Sequence, residues 1–231
     1  MQNKNQFIKD FDNYIDKFLN LRGKDWIEVL KEKVIKPNEE DTEWFLELYK
    51  LQNLYGYDTD IFGIYLEEKN QTNTSLGQFF TPMPIAKLMS EINFPENIQE
   101  LLDGKYLSVS DPCSGTGRFM IAHADVALSK FKQFWTPTTF YYINTDLDHK
   151  AYVFSALNAV LRNLYSINIY GNTITLEVYG AIITAPNTSG LSQWSSNIDL
   201  EKIKNILQEP LERNLKEEKQ EESNKVKLTL F

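Results

Sequence analysis

The chain has 231 residues, of which 42% are hydrophobic and 13% aromatic, a composition that predicts a folded protein with a sizeable core. A single cysteine excludes an internal disulfide, and two histidines are too few for a zinc finger. The formal net charge of −8 argues against a broad basic surface, so any DNA contact is expected to be local or supplied by a partner. The sequence has neither a long apolar run nor an apolar start, which predicts a cytoplasmic protein without a membrane span.

Residues 1–57 are predicted to form an N-terminal helical region. Apolar residues recur at three- and four-residue spacing from Phe7 to Leu19, and shorter stripes follow from Trp26 to Leu30 and from Trp44 to Leu54. We expect these stripes to pack on one another and on a neighbouring domain. No chemistry is assigned to them.

Residues 58–195 are predicted to form an α/β domain. Strands are expected at Tyr106–Ser110, Phe140–Thr145, Ile167–Tyr170 and Ala181–Thr184, alternating with helices at Pro84–Ile92, Arg118–Lys130 and His149–Leu164. This alternation predicts a parallel sheet of the doubly wound kind. Residues 196–215 are expected to contain a charged amphipathic helix, and residues 216–231 a charged, flexible tail.

A turn with two glycines, Asp111-Pro112-Cys113-Ser114-Gly115-Thr116-Gly117, follows the first predicted strand. Glycines at such a turn let the backbone approach a ligand, although they also occur there for steric reasons alone. Asp146 ends the second predicted strand, where dinucleotide-binding folds place a carboxylate that binds ribose hydroxyls. The two features together predict a cofactor site.

Four segments resemble, in family order, the motifs of adenine-N6 DNA methyltransferases, particularly the modification subunits of type I restriction systems. They are Leu76–Pro82, Asp111–Phe119, Asn144–Asp148 and Gly171–Ile174. The resemblance implies a Rossmann-like class I methyltransferase sheet that binds S-adenosylmethionine. It also implies ten cofactor-binding residues: Phe79, Thr81, Pro82, Asp111, Cys113, Gly115, Gly117, Asp146, Leu147 and Asn172.

The resemblance also suggests a role for each segment. The first would line the methionine end of the cofactor, the glycine turn would hold its amino-acid part, Asp146 would bind ribose, and Asn172 would lie near the adenine ring. Core packing is an alternative for Phe79 and Phe80. Cys113 is expected to be a small buried turn residue and not a nucleophile, because nothing nearby in sequence would activate its thiolate.

One family motif is missing. These enzymes hold the amino group of an extruded adenine with an Asn-Pro-Pro-Tyr or Asn-Pro-Pro-Phe loop after the fourth strand. The corresponding degenerate catalytic position here is Ala185, Pro186, Asn187 and Thr188. A shifted loop that uses Asn187, with Trp194 as the stacking ring, is an alternative. Too few residues follow for three further strands, so we expect an incomplete sheet of about four strands.

The resemblance therefore implies S-adenosylmethionine-dependent methylation of adenine N6 in DNA. The alternatives are a catalytically inactive binding or regulatory subunit, and a structural protein that binds no ligand. An incomplete sheet exposes an unpaired edge, which favours a homo- or hetero-oligomer. The C-terminal residues Leu228, Leu230 and Phe231 resemble a peptide that binds the replicative sliding clamp, with a last strand or a packing tail as the alternative.

Overall fold

The computed structural model describes residues 4–38, 40–72, 78–95, 107–131, 140–188 and 192–208. Within these ranges the chain forms eight helices and five strands. The helices are α1 (Lys4–Phe18), α2 (Trp26–Ile35), α3 (Glu43–Tyr55), α4 (Ile61–Glu68), α5 (Met83–Ile92), α6 (Arg118–Phe131), α7 (His149–Leu161) and α8 (200–208). The strands are β1 (Leu107–Asp111), β2 (Phe140–Asp146), β3 (Tyr165–Asn172), β4 (Glu177–Ala185) and β5 (Gln193–Ser195).

The five strands form one open sheet in the order β1-β2-β3-β4-β5. The predicted α/β class is confirmed, and β1, β2 and β3 are parallel as expected. The prediction is wrong for the fourth strand, because β4 runs antiparallel to β3, and β5 runs antiparallel to β4. The connection between β3 and β4, residues 173–176, is a turn, whereas a parallel partner needs a crossover of a dozen or more residues.

The Asn172 side chain stabilises this turn. Its Oδ1 atom accepts the backbone N–H groups of Ile174 at 3.0 Å and of Thr175 at 3.3 Å. An asparagine that bonds the backbone two residues further on favours a tight turn. The hairpin therefore has a local cause in the sequence.

Helices cover both faces of the sheet. On one face Ser155 of α7 donates to Asn168 of β3 at 2.8 Å. On the other face Ile203 of α8 belongs to a buried cluster with Ile167 and Ile169 of β3. Because successive residues of a strand point to opposite faces, Asn168 and its two isoleucine neighbours place α7 and α8 on opposite sides.

The N-terminal helices share one aromatic core with α7. The ring of Phe154 in α7 stacks on Phe62 with the centroids 4.7 Å apart and on Trp26 with the centroids 5.6 Å apart. Phe11 of α1 stacks on Tyr65 with a centroid separation of 4.1 Å. The expected packing of the helical stripes on one another and on the sheet domain is confirmed. The division of the chain at residue 57 stays a prediction.

The predicted C-terminal helix begins at residue 200 and is described as far as residue 208. The charged tail and the expected clamp-binding residues Leu228, Leu230 and Phe231 lie outside the described residues. Among the residues that are described, no helix combines the length and apolarity needed to cross a membrane.

Asp60 is the polar centre of the fold, and its side chain is fully buried. Its Oδ1 atom accepts the Gly63 N–H and the Asn158 amide, both at 3.0 Å. Its Oδ2 atom accepts the Thr116 hydroxyl at 2.6 Å and Arg118 Nε at 2.8 Å. A buried carboxylate is tolerated only with such partners, so Asp60 connects α4, the glycine turn, α6 and α7.

Replacing Asp60 tests this network. We expect Asp60→Asn to lower the free energy of unfolding by about 3–5 kcal/mol, because Arg118 loses a buried charge partner. Urea unfolding followed by circular dichroism measures the change. The control is Asp58→Asn, whose side chain is 46% exposed and paired with Lys87; we expect it to cost less than about 1 kcal/mol. Equal losses in the two variants would contradict the central role of Asp60.

Candidate cofactor site

A cleft of about 340 Å³ lies at the carboxyl ends of β1 and β2. Its walls come from the segment before α5, the turn after β1, the end of β2 and the β3–β4 turn. The lining residues are Gln78, Phe79, Phe80, Thr81, Pro112, Cys113, Ser114, Gly115, Arg118, Phe119, Asp146, Leu147, Gly171, Asn172, Thr173 and Ile174. The carboxyl edge of a parallel sheet is where such folds bind their ligands.

The glycine turn is tied to the end of β2. The Ser114 N–H donates to the Thr145 carbonyl at 3.0 Å, and the Gly115 N–H donates to Asp146 Oδ2 at 2.7 Å. Gly115 has a φ of +54°, and a Cβ atom there would lie 3.1 Å from the ring of Phe80. The turn therefore offers a backbone wall to the cleft, which a larger residue would disturb.

Asp146 keeps hydrogen-bonding capacity for a ligand. Besides the Gly115 bond, its Oδ1 atom accepts the Asp148 N–H at 2.8 Å. A carboxylate oxygen can accept two hydrogen bonds, so each oxygen has one further site for a hydroxyl group. Burial raises the pKa of Asp146, whereas the two N–H donors favour its charged form and oppose that shift.

Arg118 is the one basic residue among the described residues that line the cleft, and its charge is already neutralised. Besides the Nε bond to Asp60, its guanidinium donates to Glu67 at 2.7 Å and to the Thr81 carbonyl at 3.1 Å. The side chain is only 9% exposed. Together with Asp146, this pairing leaves the cleft negative, so it favours a ligand that carries positive charge.

Three apolar side chains stand open at the mouth of the cleft. Phe79 is 91% exposed, Ile174 is 94% exposed and Leu147 is 45% exposed. Phe80 instead packs against the main core, and its ring lies 5.1 Å from the Arg118 guanidinium. Core packing, the alternative for both phenylalanines, is confirmed for Phe80 and wrong for Phe79. Exposed apolar side chains at a cleft gain contact free energy when a planar ligand covers them.

The structure brings most of the predicted cofactor residues together in this cleft. Seven of the ten line it: Phe79, Thr81, Cys113, Gly115, Asp146, Leu147 and Asn172. The expectation that Cys113 is buried is wrong, because it is exposed at the cleft wall. Partial burial and the carboxylates of Asp111 and Asp146 raise the pKa of the Cys113 thiol, which favours the unreactive protonated form.

Three predicted cofactor residues do not line the cleft, each for a visible reason. Pro82 is the residue that precedes α5. Gly117 faces α7, where a Cβ atom would lie 2.9 Å from Ser155 Oγ, so its glycine serves close packing. Asp111 lines a second cavity, and its Oδ1 atom accepts the Cys113 N–H at 3.1 Å.

The degenerate catalytic position lies at the wrong end of the sheet. Thr184 of β4 pairs with Ser166 near the start of β3, so the residues that follow lie away from the carboxyl ends of β1 and β2. Trp194 pairs with Thr184 and lies at that same distant end. The assignment of a catalytic loop, and its rescue by Asn187 and Trp194, are therefore wrong for Ala185, Pro186, Asn187 and Thr188.

Sequence reasoning missed two residues that shape the site. Ile174 appeared only within a motif, although the turn that Asn172 forms places it at the cleft. Asp60 carried the signal of a helix N-cap, and its side chain does accept the Gly63 N–H. Its bonds to Thr116 and Arg118 connect parts of the chain that are far apart in sequence, so no local pattern reveals them.

Parallel strands, a glycine turn after the first strand and an acidic residue after the second define a cofactor-binding α/β protein. The family model described as N-6 DNA Methylase matches residues 58–181, more than half of the chain. The chain belongs to the N-6 DNA methylase family, and the resemblance found in the sequence is confirmed.

One solved structure is also similar to this chain. It is a Listeria monocytogenes protein described as a class I S-adenosylmethionine-dependent methyltransferase, with 14% identity and a TM-score of 0.40. The match covers 71% of this chain and 51% of that one, so the chain spans about half the length of that structure. No protein with a curated description matches the sequence.

The packing role of Gly117 is testable against a matched glycine. Gly117 and Gly23 have φ values of +88° and +82°, but a Cβ atom at Gly23 meets nothing within 4 Å. We expect Gly117→Ala to cost at least about 1 kcal/mol more than Gly23→Ala in urea unfolding, because only the first substitution adds a clash to the backbone strain. Equal costs would show that packing against Ser155 is unimportant.

Proposed function

We propose that this chain binds S-adenosylmethionine in the cleft and forms the cofactor-binding part of a DNA adenine-N6 methyltransferase. The observation that carries the proposal is the cleft itself, where a backbone wall, a carboxylate and exposed apolar side chains meet in a member of the N-6 DNA methylase family. When bound, this cofactor supplies an activated methyl group on a positively charged sulfur.

The residues present fit such a ligand. The backbone at Gly115 leaves room for close approach, because no Cβ atom projects there. Asp146 has free acceptor sites for ribose hydroxyls. Phe79, Leu147 and Ile174 offer apolar contacts to a purine ring. Each part of the cofactor therefore has a matching group in the cleft.

Charge favours this cofactor over a dinucleotide. A pyrophosphate in the cleft would face Asp146, and the guanidinium of Arg118 is already bound by Asp60 and Glu67. A ligand with a sulfonium and an ammonium group gains from the same negative surroundings. The cleft thus supports a cationic nucleoside derivative.

Methyl transfer itself needs more than the cleft. The acceptor amine must be held by hydrogen-bond acceptors and the extruded base must be stacked. The sequence contains no Asn-Pro-Pro, and residues 185–188 lie at the other end of the sheet. These observations favour a second candidate function, in which the chain binds the cofactor but transfers no methyl group alone and acts as a binding or regulatory subunit. With a net charge of −8, contact with DNA would then come through a partner.

Calorimetry with S-adenosylmethionine tests cofactor binding. We expect saturable binding to the wild-type chain and about tenfold weaker binding to Asp146→Asn, because one charged acceptor is lost. The control is Glu91→Gln on the surface of α5, whose carboxylate pairs with Lys130. Its affinity should equal that of the wild type.

The absence of any heat with wild type at high protein concentration would refute the cofactor site. Given binding, transfer of a labelled methyl group to unmethylated DNA separates the two candidates. Incorporation by the purified chain alone supports the complete enzyme. Binding without incorporation supports the subunit.

Binding should also depend on pH. Burial raises the pKa of Asp146, so protonation removes its charge at a higher pH than in an exposed aspartate. Affinity for a cationic ligand is therefore full at neutral pH and falls as the pH drops through this raised pKa. Titrations over a pH series with wild type and Asp146→Asn measure the effect, and an equally steep loss in the variant would assign it to another group.

A further inference from the structure

β1 is an edge strand among the described residues. One side pairs with β2, and no described strand pairs with the other side. Ser108 and Ser110, whose side chains project from one face of the strand, are exposed. The backbone N–H and C=O groups along such an edge need partners, which water or another strand can supply.

Helix α5, which belongs to the same side of the molecule, exposes an apolar stripe. Its members are Ile85 (47% exposed), Leu88 (55%), Met89 (43%) and Ile92 (72%), at the spacing of one helical face. The charged residues of α5 are paired with α6, through Lys87 and Asp125 at 2.9 Å and through Glu91 and Lys130 at 3.1 Å. The stripe itself is therefore uncharged.

A second cavity, of about 300 Å³, connects the stripe with β1. Met89 of the stripe lines it together with Val109 and Asp111 of β1. We call the α5 stripe, this cavity and the free edge of β1 the β1-edge surface. It combines a strand edge with an adjacent apolar face, the arrangement to which peptides bind by adding a strand.

Asp111 gives this surface an unmet electrostatic need. Its Oδ2 atom is buried and has no hydrogen-bond partner among the described residues. An unsatisfied buried acceptor costs free energy that a donor from a binding partner would recover. The occupant should therefore be apolar along most of its length and should carry a donor next to Asp111.

We propose that the β1-edge surface binds an extended strand of a different polypeptide, parallel to β1, with a basic side chain near its carboxyl end for Asp111. A parallel strand would continue the direction of β1, β2 and β3. Its carboxyl end would then lie beside Pro112, which lines both cavities. The partner would thus add a wall next to the cofactor cleft.

A second copy of this chain does not meet the same need. Two edge strands related by a twofold axis pair antiparallel. Pairing centred on Val109 would place Leu107 of one copy opposite Asp111 of the other. Both Asp111 Oδ2 atoms would remain without a donor, so the chemistry favours a different polypeptide.

Two synthetic peptides test the proposal without S-adenosylmethionine, so the result does not depend on the proposed function. Each has six residues, is acetylated and amidated, and alternates threonine with valine, but one ends in lysine and its isomer begins with lysine. By fluorescence anisotropy we expect the lysine-last peptide to bind wild type about tenfold more tightly than the isomer, because only its charge reaches Asp111. Asp111→Asn should remove this difference.

A matched pair of exposed leucines controls for the surface. We expect Leu88→Asp to weaken lysine-last binding at least about tenfold, because it places a charge in the apolar stripe. Leu54→Asp on α3, where Leu54 is 69% exposed, should bind like wild type. Thermal unfolding confirms that both variants fold, and titration with S-adenosylmethionine reports the cofactor cleft separately.

Several results would overturn the proposal. They are no saturable binding of either peptide, tighter binding of the lysine-first isomer, or equal weakening by Leu88→Asp and Leu54→Asp. Concentration-dependent dimerisation lost in Leu88→Asp, measured by analytical ultracentrifugation, would assign the surface to a second copy. Peptide binding seen only after deletion of residues 209–231 would assign it to the chain's own C-terminal segment.

Discussion

The buried carboxylate of Asp60 is the constraint on which the rest of the structure depends. A charge in the core is stable only when its oxygens are fully hydrogen-bonded, and here the donors come from α4, the glycine turn, α6 and α7. The requirement fixes how the N-terminal helices meet the sheet. It also fixes the glycine turn at Thr116, two residues after the cleft wall begins to form the start of α6. A single desolvated charge thus couples the stability of the fold to the shape of the cofactor site.

The same network sets the charge of the cleft. Arg118 would be the natural partner of an anionic ligand, but Asp60 and Glu67 already bind its guanidinium. Asp146 therefore acts in surroundings without a free cation, and partial burial raises its pKa. The preference for a positively charged cofactor follows from how the core is neutralised, and the cleft residues by themselves do not explain it.

The hairpin between β3 and β4 decides what the sheet can do. A turn fixed by Asn172 returns the chain antiparallel, so the growing edge of the sheet moves away from β1. In doubly wound sheets the ligand crevice opens where the strand order reverses, with strands on both sides of the first one. Here the described strands occupy one side of β1 only. The cofactor half of the crevice is built, and the groups that would present a target amine must come from the other side.

The sequence by itself determined the first three strands, the glycine turn, the position of Asp146 and the family, because each depends on local periodicity or on short motifs. Tertiary structure alone decided the direction of β4, since alternating apolar residues look the same in parallel and antiparallel strands. It also decided that Phe79 opens to the cleft while its neighbour Phe80 enters the core, and that Asp60 binds groups from distant parts of the chain. The physical reason is common to all three: local pattern specifies an element and its faces, whereas desolvation and packing between elements select which face meets which partner.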